Sequence, residues 1–303
     1  MSPAVPIAAS SAPSLDLDPS IATWGVLGAL VAGMLAIDLV VFARDHTPRM
    51  REAAAWSVVW LVIAVAFGAL FWAWQGGEAG GQFFAGYLLE RTLSLDNVFV
   101  FAVILAYFAV PAAVQPKVLS WGIALALVLR LVLIVAGATL LDAFHATFYV
   151  FGAVLLFTAW KLVRREGHEV APERYRALRL LPKRLRAKPL VVVFVVVATT
   201  DLVFAIDSIP AIFAVTSEPF VVFAANAFAV LGLRALYFLL AGMMDRFVYL
   251  SHGLALILAV IGAKMLLIDV WHPPIWLSLG VIVAVLAATV VLSLRAEPEG
   301  SAA

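Results

Sequence analysis

Nine runs of roughly twenty apolar residues succeed one another along this chain, near 24–42, 56–74, 83–108, 118–140, 145–163, 190–213, 219–242, 252–270 and 275–294. A run of that length, wound as a helix, spans the hydrocarbon core of a bilayer. In lipid, every backbone N–H and C=O must find an internal partner, which a helix does by itself. The expected fold class is therefore all-α: a polytopic membrane protein with about nine transmembrane helices. Composition agrees. The 303 residues are 65% hydrophobic and 13% charged, whereas a soluble domain is nearer half apolar and a quarter charged.

One transmembrane domain is expected over 21–295, flanked by disordered tails at 1–20 and 296–303. The first tail is rich in Ala, Ser and Pro and lacks Lys and Arg, so it has no basic region of a secretory signal. One connector is long: RREGHEVAPERYRALRLLPKRLRAKP, 164–189, a basic loop suited to contact with anionic lipid. Under a nine-span count, Arg44, Arg49, Arg51, Lys117, the ten basic residues from Lys161 to Lys188, Arg246 and Arg295 all fall on one side. Such a bias marks the cytoplasmic face. It predicts a protein of the cell (inner or plasma) membrane with its N-terminus outside and its C-terminus in the cytoplasm. Trp24, Trp56, Trp72, Trp74, Trp121, Trp160, Trp271 and Trp276 sit at span ends, as an interfacial aromatic belt requires.

Charges within the spans are costly, at least ~2.5 kcal/mol each near the centre, and so must face protein or a wet cavity. The acids are Asp38, Glu90, Asp96, Asp201, Asp207 and Asp269; the bases are Arg91, Arg130, Arg234 and Lys264. Counting residues along oppositely directed spans places Asp96 level with Asp201 near the midplane, and Glu90 level with Asp207 further out. Asp38 lies nearer the cytoplasmic face. Six residues separate the acids within each span, which turns them about 120° apart on an unbroken helix. One cavity receives both only if the helix bends or unwinds. In TTDLVFAIDSIPAIF, 199–213, Pro210 offers such a bend and frees the Ile206 carbonyl beside Asp207 and Ser208.

An internal repeat is expected too. LDNVFVFAV from Leu95 and TDLVFAIDS from Thr200 share Asp-x-Val-Phe, and each is followed in the next span by Leu-Arg. The Asp-to-Arg separations are 34 and 33. Spans three to five and six to eight would then form an inverted repeat of three plus three helices, a plan of many secondary transporters.

Carboxylates, an amide, hydroxyls and a freed carbonyl are hard donors for Mg²⁺, Ca²⁺ or Mn²⁺. Asp96, Asn97, Asp201 and Asp207 are the expected ligands, with Glu90 as outer ligand or proton carrier. Arg130, Arg234 and Lys264 would balance charge or act as movable counter-ions, and Asp38 would lie on the pathway. The bland alternative is that these acids only pair with the three bases to fix packing. Asn97 and Asn226 would then be interhelical hydrogen-bond glue, and Asp269 interfacial. There is no cysteine, and His46, His145, His168, His252 and His272 lie at span ends or in loops. A thiolate or histidine route for Zn²⁺ or Cu⁺ is disfavoured. No nucleophile–base arrangement, phosphate loop or cofactor motif is present, so neither catalysis nor a prosthetic group is expected. The partners expected are a divalent metal ion, protons and the lipid bilayer, with no nucleic acid; a homo-oligomer and membrane partner proteins stay open.

GYLLERTLSLDNVFVF (86–101), WGIALALVLRLVLIVAG (121–137), TTDLVFAIDSIPAIFAVT (199–216), NAFAVLGLRALYFLL (226–240) and IGAKMLLIDV (261–270) resemble the TerC family of integral membrane proteins. The likeness runs over about 24–294. It implies grouping with LysE-type exporters, an association with tellurium resistance, and Mn²⁺ export as in several members. It also implies that Glu90, Asp96, Asn97, Asp201, Asp207 and Ser208 form the metal site. The alternative that it implies is a non-transporting scaffold in a metal, tellurite or envelope-stress resistance complex, or in membrane-protein biogenesis.

Overall fold

The computed structural model describes residues 19–41, 50–164, 189–240, 249–271 and 273–296, with the side chains of Val41, Asp96, Phe99 and Leu240 excepted. The basic loop and both tails therefore lie almost wholly outside the described residues. Ten helices are described: α1 (Ile21–Val41), α2 (Met50–Gln75), α3 (Gly77–Tyr107), α4 (Gln115–Ala143), α5 (Ala146–Arg164), α6 (Pro189–Phe213), α7 (Pro219–Val230), α8 (Leu233–Leu240), α9 (Leu250–Leu266) and α10 (Ile275–Arg295). No strand occurs among the described residues.

Seven stretches are long and apolar enough to cross a membrane: α1, α2, α4, α5, α6, α10, and Pro219–Leu239, which takes in α7 and most of α8. Two of the nine expected spans fall short on different grounds. α3 has 31 residues but carries Glu78, Glu90, Arg91 and Asp96. α9 has only 17.

The hub of the bundle is α7, almost every residue of which is buried. Its apolar sequence, FVVFAANAFAV, offers no polar face to water, so the helix is stable only when enclosed. Phe228 stacks on Phe67 of α2 at 4.4 Å between ring centres, and Phe220 meets the Trp24 ring of α1 edge-on at 5.3 Å. α3 and α4 flank the same helix. The outward faces of α1, α2, α5 and α10 carry exposed Val, Leu, Ile and Trp, as lipid contact demands. On the other side, α5 and α9 cross closely at Gly152 and Gly262. A Cβ on Gly152 would lie 2.9 Å from the Gly262 carbonyl oxygen, and one on Gly262 would lie 3.0 Å from that of Gly152. Small residues at such a crossing let two backbones touch.

The helix break lies in a different span from the one expected. α6 stays helical through Pro210, and the Ala214 N–H closes the next turn on the Pro210 carbonyl at 3.0 Å. Proline removes one hydrogen bond, and here it does so a few residues before the helix ends. The next span is the interrupted one. Leu231 (φ −59°, ψ 125°) and Gly232 (φ +90°) take the dihedrals of a type II turn between α7 and α8. Only glycine suits that position, because the Trp60 side chain would lie 2.8 Å from a Cβ there.

Candidate functional site

Arg130 lies in the interior of α4 with 1% of its surface exposed, deep in an apolar bundle. A guanidinium cannot shed its charge, so acceptors must surround it. Three helices supply them. Asp201 of α6 accepts from Arg130 Nε and Nη2, both at 3.2 Å, in a fork-like pair. Glu90 of α3 accepts from Nη1 in a close contact. Asn226 of α7 turns its Oδ1 to the same Nη1 at 3.3 Å. Ser94, one turn on from Glu90, donates to Glu90 Oε1 at 3.3 Å.

With both acids ionised, the two carboxylates and one guanidinium leave a formal charge of −1 in a dry interior. Satisfaction is incomplete. Glu90 Oε2 and Asn226 Nδ2 are buried without hydrogen-bond partners, as is Ser208 Oγ on α6. An unmet buried polar atom costs about 1–3 kcal/mol, and such exceptions call for a functional reason. The oxygens of Glu90, Asp201 and Asn226 already converge on a cation, and that cation is a residue of the chain itself.

Glu90 meets Asp201 through Arg130, although counting along the spans sets Glu90 level with Asp207; an arginine side chain is long enough to join acids at different levels. Asp207 has its own place: it is half-buried and accepts from Thr158 of α5 at 3.0 Å. Since α6 is continuous from Asp201 to Asp207, the turn of about 120° between them persists. Asn97 is buried on α3. Asp96 lies on the same helix, and its side chain is outside the described residues. Among the described residues, no three His, Cys, Asp or Glu gather at metal-ligand spacing.

Two further bases, of which Lys264 was expected as a counter-ion, hold backbone carbonyls. Arg91 donates to Ala229 O at 2.8 Å, at the end of α7 where the Gly232 turn leaves carbonyls without helical partners. Lys264 donates to Ala214 O at 3.0 Å just past α6, and to Ser278 of α10 at 3.3 Å. Both place positive charge at the negative end of a helix dipole. Asp269, expected to be interfacial, is half-exposed, accepts from Tyr149, and pairs with His145 at 3.3 Å.

Asp38 and Arg234 form a second buried pair, Oδ2 to Nη2 at 2.8 Å, linking α1 to α8. Arg234 also contacts the Asp38 backbone carbonyl and Ser120 Oγ of α4.

Asn226, read in the sequence as interhelical hydrogen-bond glue, does accept a hydrogen bond across helices, from Arg130 of α4; Ser120, Thr158 and Gly232 were passed over. Asn226 carried a usable signal, as the lone amide in an otherwise apolar helix.

A helical bundle threaded by lipid-length segments, with an ionic cluster sealed in its centre, is an integral membrane protein built around buried charge. The chain belongs to the integral membrane protein TerC family, whose profile matches residues 75–300. A protein of Escherichia coli K12 named "Putative membrane-bound redox modulator Alx" is 42% identical over 300 residues, which cover 89% of this chain and 93% of that relative. The Myxococcus xanthus "Uncharacterized membrane protein STKORF319" is 43% identical over 291 residues, covering 89% of this chain and 91% of its own. No solved structure is significantly similar to the chain.

Proposed function

We propose that this protein exports a divalent metal cation, Mn²⁺ by family resemblance, in exchange for protons. The observation that carries the reading is the convergence of Glu90, Asp201 and Asn226 oxygens on one buried cation position. These are hard donors of the kind Mn²⁺ takes. With no metal bound, Arg130 fills the seat and limits the cost of bringing two carboxylates together. An arriving divalent ion competes with the guanidinium for the same oxygens. A proton on Glu90, whose Oε2 is unmet, restores balance once the metal leaves. Asp96 and Asn97 stay in the proposal as ligands from the α3 motif.

Nine crossings follow if charged α3 and short α9 are counted and α7 with α8 is taken as one interrupted span. The inverted repeat then relates α3–α5 to α6–α9, and the cytoplasm receives the C-terminus and the basic loop. The pairing of Arg130, in the first unit, with Asp201, in the second, supports a site at the repeat interface. Interrupted spans lining a site are common in such proteins.

The scaffold reading has its own support: Arg130 already neutralises much of the cluster, as a purely structural network would. Relatives are named as redox modulators. None of the 303 residues here is a cysteine, so a redox effect of this chain would not run through a thiol of its own. Mn²⁺ movement into proteoliposomes containing the purified chain, measured under pH gradients of either sign, separates the readings. Export chemistry requires flux that responds to the gradient; a chain that moves no Mn²⁺ under any gradient favours the scaffold.

A further inference from the structure

The Asp38–Arg234 pair repeats the chemistry of the central cluster at another depth. Asp38 Oδ2, the Asp38 backbone carbonyl and Ser120 Oγ all accept from the Arg234 guanidinium. Again hard oxygens surround an internal cation, and again the arrangement is sealed, with Asp38 and Arg234 each only 1% exposed. Asp38 Oδ1 is buried with no hydrogen-bond partner. A pair whose only task was to pin α1 to the bundle would gain nothing from leaving that oxygen unmet.

Two helices tie the clusters together. α4 carries Ser120 for one and Arg130 for the other, ten residues or about 15 Å apart along the axis. The interrupted span carries Asn226 on α7 for one and Arg234 on α8 for the other. The Gly232 turn lies two residues before Arg234. It divides the span, so that Asn226 and Arg234 sit on separate helical segments.

We infer that Asp38 and Ser120 form a second seat for the transported divalent cation, about 15 Å along α4 from the first, which Arg234 occupies when no metal is there. The inference rests on the transport reading above and extends it from one site to a path with two stations. The class of ligand is a hard divalent cation, and Mn²⁺ is the probe.

The test is the Mn²⁺ dependence of flux in proteoliposomes for wild type, Asp38→Asn/Arg234→Gln and Ser120→Ala. The double variant removes both charges together and so strands neither. A second seat predicts that the double variant, once it purifies as a folded protein, transports about tenfold more slowly or worse at low Mn²⁺. Ser120→Ala keeps the ion pair but deletes one donor oxygen. It should raise the KM for Mn²⁺ by about fivefold, the worth of roughly one polar contact. A structural pair predicts no change there. If the double variant folds and keeps wild-type flux, or if Ser120→Ala leaves KM unmoved, the second seat is refuted while transport stands. Should the double variant fail to fold, the Ser120→Ala result decides. Absence of flux in wild type removes the transport reading and the second seat together.

Discussion

Arg130 is the residue on which the interior of this protein depends. It is the shared partner of Glu90, Asp201 and Asn226, which come from three different helices. Replacing a buried ion pair wholesale is often harmless, but removing one member strands the other, at about 3–5 kcal/mol. Arg130→Leu therefore should destabilise the detergent-solubilised protein strongly, read as a lower unfolding temperature. Arg130→Leu combined with Glu90→Gln and Asp201→Asn should recover much of that loss. If the single variant unfolds at the wild-type temperature, the cluster does not hold these helices together. The members of the cluster are legible in sequence as costly intramembrane charges, and their pairing with a buried base as the packing alternative, but not which three helices Arg130 joins. A side chain as long as arginine crosses from one helix to three others, and spacing along a chain carries no information about that reach. Asn226 is legible as interhelical hydrogen-bond glue, and Arg130 is the donor that it holds.

At the scale of elements, the helices are legible in the sequence, although seven of the nine expected spans are long and apolar enough to cross a membrane, and the helix interiors are not. Hydropathy places most helix ends within a few residues of where they lie: 190–213 was expected and Pro189–Phe213 is found. Lipid imposes that regularity, since a stretch of the wrong length leaves backbone groups unmet. The break was misplaced because Pro210 is conspicuous and Gly232 is not. Proline near the end of a helix loses little, whereas a glycine at φ +90° under a tryptophan ring fixes a turn. Gly232→Ala should therefore weaken the α7–α8 junction. The added methyl meets Trp60, and an L residue is strained at that φ. The expected outcome is a loss of stability of about 1–3 kcal/mol, partly restored by Trp60→Ala, which removes the obstruction. A thermal-unfolding series over the two single variants and the double checks it. Additive losses in the double variant would mean that the ring and the glycine are not coupled.

For the whole molecule, the charge bias along the chain makes an orientation claim that the helix bundle alone does not. A chain without cysteine is a ready background for testing it. Single cysteines placed in 164–189 and after Arg295 should react with a membrane-impermeant maleimide only when cells are opened. One placed near the N-terminus should react on intact cells. Labelling of 164–189 from outside would reverse the orientation, and with it the direction of transport. The proposed function rests on one claim, that Glu90, Asp201 and Asn226 form a seat shared by Arg130 and a travelling cation. Asp207, which accepts from Thr158 of α5, lies outside the proposed seat. The most direct measurement is Mn²⁺ flux in proteoliposomes, with wild type, Asp201→Asn and Asp207→Asn at equal protein levels. The account predicts a loss of about tenfold or more for Asp201→Asn and flux within about threefold of wild type for Asp207→Asn. Equal flux in wild type and Asp201→Asn would contradict it.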